Sequence, residues 1–341
     1  MWVQNPDKVD ARLARGHIKE ELAVAALVVP GCHRITAKGL APLDAPPARA
    51  KHDPPDTSIY SVWDGVSLTV AGHVDGPSKP PFARLVVLRV GEVERSIAVF
   101  GDRVWERSIL GGGLAPSDPR PFDRLELSVE RAFGGGYDVP PGLMPTDDLP
   151  HPGFRVDHPM NPLGVGLYGD ERDAVGAPLP NFERRGALMK RWNDAPEPVA
   201  FSPCRELVGW RTWARTQRHL REHLARGGSP DDVPPPPPSF RMFHHAPPEL
   251  VFDDIVPGTT IELDGLSGGS LRFVVPGCPA RLDVAPASKS AARVEVPPRL
   301  RSIHIDADRG LLLTAHDLSF RYNPKRAPRS ARVSRATGAA A

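Results

Sequence analysis

The residues best suited to chemistry fall in two short stretches, "GDRVW" at Gly101–Trp105 and "VERAFGGGYDVPPG" at Val129–Gly142. Asp102 or Glu130 could serve as the acid or base of a hydrolase, because a carboxylate set in a pocket can move a proton. Three glycines in a row raise a second chemistry, a phosphate cradle. A phosphate-binding loop needs a lysine followed by serine or threonine and then a helix. Here Gly134-Gly135-Gly136 runs into Tyr137, Asp138 and Pro140-Pro141, which cannot open that helix. No GxSxG elbow is present either. The glycines therefore read as a corner where a strand through "DRLELSVERAF" ends at Phe133 and turns, with Val129 toward the core. Ion pairs Asp102–Arg131 and Arg103–Glu130 are expected to pin that corner, since a half-buried charge requires a partner.

Histidines supply the third chemistry. His151, His158, His244 and His245 lie upstream of Glu249 and Asp253, but without HxH or HExxH spacing. Adjacent residues on an extended chain point to opposite faces, so His244 and His245 do not converge on one ion. Cys32, Cys204 and Cys278 are three, far apart, and without CxxC spacing. Neither a zinc site nor a disulfide framework is expected, and no metal or cofactor is assigned.

Of 341 residues, 41 are proline and 31 glycine, below the share that marks low-complexity disorder, so a folded chain rich in turns is expected. Formal charge is +2 with the signs interspersed, which implies no nucleic-acid or membrane partner. The apolar run "LAVAALVVPG" from Leu22 is too short to span a bilayer and lacks the flanks of a signal peptide; a cytoplasmic location is expected.

Hairpins dominate the pattern. "ARLVVLRVGEVERSIAVF" from Ala83 turns at Gly91-Glu92, the glycine supplying the positive φ of a type II′ loop. "TTIELDGLSGGSLRFVV" and "RSIHIDADRGLLLTAHDLSF" alternate apolar and polar residues about turns. "VVPGC" occurs at Val28–Cys32 and Val274–Cys278 and reads as two strand ends. One segment has helical spacing, Leu207, Trp210, Ala214, Leu220 and Leu224, giving one substantial helix over about 205–226. Prolines 234–238 read as a polyproline spacer. Residues 134–203 are almost all turn chemistry yet carry Phe154, Leu163, Leu167, Tyr168, Leu179 and Phe182, so they read as an ordered loop layer held against a sheet. The fold expected is mainly β, antiparallel sandwich-like sheets with that layer and one helix. A polar lead-in at 1–21, one large domain at 22–323 and a disordered basic tail at 324–341 complete the organisation.

Several short motifs in order carry a family likeness: "GDRVW", "PF" at Pro121-Phe122, "ERAFGG" at Glu130–Gly135, "NPLGVG" at Asn161–Gly166, "LPNFE" at Leu179–Glu183, and Trp210-Arg211 ahead of "PSFRMFHHAPPEL". From about Val86 to Leu250 the chain resembles the bacterial domain of unknown function 2169, whose members are associated with type VI secretion. The resemblance implies a non-enzymatic, cytoplasmic adaptor or chaperone that binds an effector protein and helps load it onto the VgrG or PAAR spike protein. It gives structural or binding roles to Gly101, Asp102, Arg103, Trp105, Glu130, Arg131, Phe133, Gly134, Gly135, Asn161, Pro162, Gly164, Asn181 and Glu183. No small-molecule substrate is expected. A structural part of the secretion machine is a further reading. Departures from the pattern follow Trp210-Arg211, so Trp210, Arg211 and Trp213, with Trp192, are the candidate partner contacts.

Overall fold

The computed structural model describes residues 2–8, 12–19, 22–43, 65–108, 111–143, 150–151, 153–204, 207–229, 232–234 and 244–336. Among them the strands form three larger sheets. One runs Val251–Phe252, Val66–Ala71, Arg299–Asp306, Leu311–Tyr322, Leu22–Thr36 and Arg12–Lys19, with Gly39–Pro42 paired farther along Leu22–Thr36. Only Val66–Ala71 and Arg299–Asp306 pair parallel in it. The second sheet is antiparallel throughout, in the order Phe182–Arg184, Val93–Phe100, Ala83–Val90, Thr260–Asp264 and Leu271–Val274. The third is Trp2–Gln4, Ser330–Arg335, Ala280–Ala285 and Val294–Val296.

Period-two alternation puts the apolar face of each sheet into a shared core. Leu68, Val70, Ile303, Ile305 and Leu312 of the first sheet join Val86, Leu88, Ile97, Ile261 and Leu263 of the second. Farther along the same long strands, Leu27, Val29 and Leu318 join Leu282, Val284, Ala331 and Val333 of the third sheet. Leu22–Thr36 and Leu311–Tyr322 thus serve two cores at once. Pro30 fits in so long a strand because it falls between the stretches that Arg12–Lys19 and Gly39–Pro42 pair, where a missing N–H breaks no ladder bond.

The mainly β sandwich and its three hairpins match the sequence reading. Gly91 has φ 55° and no positive φ is found at Glu92, as a type II′ loop requires. The helix spans Leu207–Ala225. Four points differ. The expected strand through Phe133 stops at Glu126; Arg131 and Ala132 then bond back to the carbonyls of Ser128 and Val129, so Val129–Arg131 is a 3-10 turn. Val28–Cys32 lies inside a continuous strand rather than at an end. The polar lead-in contains strands at Trp2–Gln4 and Arg12–Lys19. The basic tail contains Ser330–Arg335 as an inner strand, because Ala331 and Val333 alternate with Arg332 and Ser334 and bury at 2% and 1% exposure. Residues 337–341 and prolines 235–238 lie outside the described residues. No helix of the described residues is long and apolar enough to cross a membrane.

Candidate functional site

The corner at Gly134 begins with the 3-10 turn and is closed by Asn161. Asn161 is fully buried, and its Nδ2 donates to the Val129 and Phe133 carbonyls at 2.9 and 3.0 Å. Its own carbonyl accepts from the N–H groups of Gly135 and Gly164 at 2.9 and 3.3 Å. Gly134 has φ 153°, and a Cβ there would stand 2.0 Å from the Asn161 carbonyl oxygen. Glycine is needed because another backbone passes at contact distance. Pro162 follows, half-buried.

His158 completes the corner in a role other than metal ligation. Its Nδ1 accepts from the backbone N–H groups of Met160 and Asn161 at 3.2 and 3.1 Å, and its ring meets Phe133 edge-on with centroids 5.2 Å apart. Burial pushes the imidazole down to about 4, so the ring is neutral with its proton on Nε2. Among the described residues no group of three His, Cys, Asp or Glu side chains is placed to hold a metal ion.

The charged residues pair differently from the expectation. Arg103 reaches Glu183, not Glu130, by a short ion pair in which both side chains are buried; it also donates to the Pro180 carbonyl at 2.8 Å and lies 3.9 Å over the Phe100 ring. Glu183 accepts from the Met189 N–H at 2.8 Å. Asp102 and Arg131 do not bond directly; Asn181 joins them, donating to Asp102 at 3.0 Å and accepting from Arg131 at 3.2 Å. Asn181 also donates to the Phe100 carbonyl, and Glu130 stands exposed with its carboxylate on the Ser128 hydroxyl. The amide lets the strand Phe182–Arg184 and the 3-10 turn share one hub, a link that charge matching alone could not find.

Beneath this network Trp105 is fully buried with Leu114, Phe133, Ala174, Leu179 and Met189; Leu167, Tyr168 and Trp192 pack on their rim. Gly101 bonds to the Phe82 carbonyl at 3.0 Å and leads the chain into this core. Leu179 and Phe182 bury as expected of an ordered loop layer, whereas Phe154 and Leu163 stay 45% and 41% exposed. Phe154 lies on the strand Phe154–Asp157, which pairs only with Gly136–Val139 among the described strands, and Leu163 lies in the tight loop between Asn161 and Gly164 with its side chain outward.

Beside the network is an open cavity of about 550 Å³ whose lining includes Asp102, Arg120, Glu126, Glu130, Arg131 and Asn181, together with Arg103 and Ser128. It gathers carboxylates and guanidiniums on one concave surface. A second cavity, about 240 Å³, is lined by Val129 and Asn161 and by the Arg184–Glu249 pair, 2.7 Å apart. Burial pushes the Glu249 carboxyl up, opposed by Arg184. The sequence suggested Glu249 only beside histidines, and its true partner lies 65 positions away. Trp210, Arg211 and Trp213 lie on the helix, with their side chains outside the described residues, as is that of His151.

The family model described as an uncharacterized protein conserved in bacteria, domain of unknown function 2169, matches residues 35–316. The chain belongs to this family. The match takes in every motif residue of the domain 2169 cluster, from Gly101 to Glu183, together with most of the first two sheets. No curated protein and no solved structure matches the chain.

Proposed function

We propose that the chain is a non-enzymatic adaptor that binds an effector protein of type VI secretion and assists its loading onto the VgrG or PAAR spike. One observation carries this reading: the motif residues spend their polar groups on one another and on backbone, and so hold an irregular loop layer rigid. Arg103 Nη2, Glu183, Asn181 and the Nδ2 of Asn161 are engaged in this way, while Arg103 Nε and Asn161 Oδ1 stay buried without a hydrogen-bond partner among the described residues. What they support is a concave, mixed-charge surface at Asp102, Arg120, Glu130 and Arg131. Such a surface suits selection of a partner by charge pattern, and loops on a rigid scaffold are the usual seat of recognition. The secretion context is supplied by the family likeness, and a cytoplasmic location follows from it.

The test is co-expression with a candidate effector encoded by a neighbouring gene. The effector is expected to be insoluble alone and to co-purify, soluble, with the chain. An effector that folds, stays soluble and is exported equally well in its absence overturns the reading.

A further inference from the structure

A two-stranded ribbon leaves the Gly134 corner. Gly136–Val139 pairs antiparallel with Phe154–Asp157, in register from Gly136 opposite Asp157 to Val139 opposite Phe154, and neither strand pairs with another described strand. Opposed residues share a face. Tyr137, Val139, Phe154 and Val156 therefore make an apolar face, and Asp138, Arg155 and Asp157 a polar one. On the polar face Arg155 reaches Asp157 at 2.8 Å and Asp138 at 3.5 Å. The apolar face is seated at its base only: the Tyr137 ring lies where a Cβ on Gly169 would come within 2.7 Å, while Phe154 farther out is 45% exposed.

The register also fixes where the backbone points. His158 N–H donates to the Gly135 carbonyl at 2.8 Å, so that opposed pair is a bonded one. Bonded and unbonded pairs alternate along an antiparallel ladder. Tyr137–Val156 and Val139–Phe154 are then bonded, and Arg155 and Asp157 turn their N–H and C=O groups outward. No described residue bonds to those groups. From Phe154 to Asp157 the edge has no proline or bulge, and its two charges, Arg155 and Asp157, sit on one face and pair with each other. A ribbon of two strands gains stability from a third.

We propose that the Phe154–Asp157 edge takes an extended segment of a partner polypeptide as a third strand. Main-chain bonds form to Arg155 and Asp157, and an apolar side chain of the segment covers Phe154 and Val156. The polar face holds two carboxylates and one guanidinium, so the segment places a basic side chain there. Main-chain pairing supplies affinity and the alternating side chains supply selectivity. The inference deepens the adaptor reading and rests on its claim that the partner is a polypeptide.

A display library of random peptides of about twelve residues, selected on the full chain, supplies the probe. Enriched peptides are expected to bind Arg155→Pro about ten-fold more weakly than the unchanged chain, with thermal unfolding unaltered, because the lost N–H points outward. Phe154→Ser, at an exposed position, provides a second variant that leaves the backbone intact and is expected to weaken binding several-fold. Bound peptide should slow amide exchange at Arg155 and Asp157. Enriched peptides that bind both variants as tightly as the unchanged chain overturn the proposal, as does a selection yielding none that protects those amides. The peptide assay needs no effector, so its failure and failure of the co-expression test are separate results.

Discussion

Arg103 and Glu183, separated by 80 positions, form an ion pair with side chains 6% and 3% exposed, joining the end of the central hairpin to the strand at the edge of its sheet. Desolvating both charges is costly, and their attraction with the added bonds to Pro180 and Met189 offsets that cost. Removing one partner leaves a buried charge uncompensated. Arg103→Met or Glu183→Leu alone should destabilise the fold by about 3–5 kcal/mol, and the double variant by much less. Urea unfolding of all four proteins measures the coupling; additive losses would show that the two residues act independently.

Asn161 and Gly134 test the corner. Asn161→Ala leaves the Val129 and Phe133 carbonyls without their donor and should cost about 2–4 kcal/mol, since each buried acceptor left unpaired carries its desolvation penalty. Gly134→Ala drives a Cβ into the Asn161 carbonyl and should be at least as damaging. By contrast Gly186→Ala, where a Cβ would meet nothing within 4 Å, carries only the strain of its φ of 84°. Melting temperatures should rank in that order.

Acid should unfold the chain through its buried imidazoles. His158 and His316 are both pushed down to about 4 by burial, His316 also by the nearby His33. His316 and Thr314 lie on one strand between Leu312 of one core and Leu318 of the other. The unfolded chain takes up these protons near the ordinary histidine value of 6.5, the folded chain only near 4. Stability is therefore full above about pH 6.5 and lost as pH falls toward about 4, by up to about 1.4 kcal/mol per pH unit for each histidine. Urea midpoints between pH 7 and 4 measure the slope. His33 is also pushed down by burial, so His316→Leu, which keeps the apolar packing, should reduce the slope by about one histidine's share; an unchanged slope would assign the acid sensitivity elsewhere.

The strands were legible where a core strand repeats every two residues: Thr260, Glu262 and Asp264 against Ile261 and Leu263 show it directly. The strand at Ser330–Arg335 has the same period, but its inner residues are only alanine and valine, and five arginines from Arg321 to Arg335 obscured it. In the site, the residue types were legible and their pairing was not. Opposite charge predicts that Arg103 needs a carboxylate; which one depends on where the strand Phe182–Arg184 joins the sheet, a long-range fact that local spacing does not carry. Asn161 and Asn181 are the same case, since an amide's value lies in backbone groups brought to it by the fold.

The rim of the larger cavity separates recognition from scaffold. Arg120 and Glu130 are exposed, and neither takes part in the buried Arg103–Glu183 pair. Arg120→Glu and Glu130→Lys each reverse a charge on the concave surface without opening the core, so melting temperature should hold. Rim charges steer encounter and act chiefly on association rate. Each variant is expected to slow association with the effector by about ten-fold at low salt and less at high salt, as screening shortens the reach of the charge. Surface plasmon resonance at two ionic strengths reads this directly. Association rates that match the unchanged chain at both would place the docking surface away from this cavity, even if the complex itself forms.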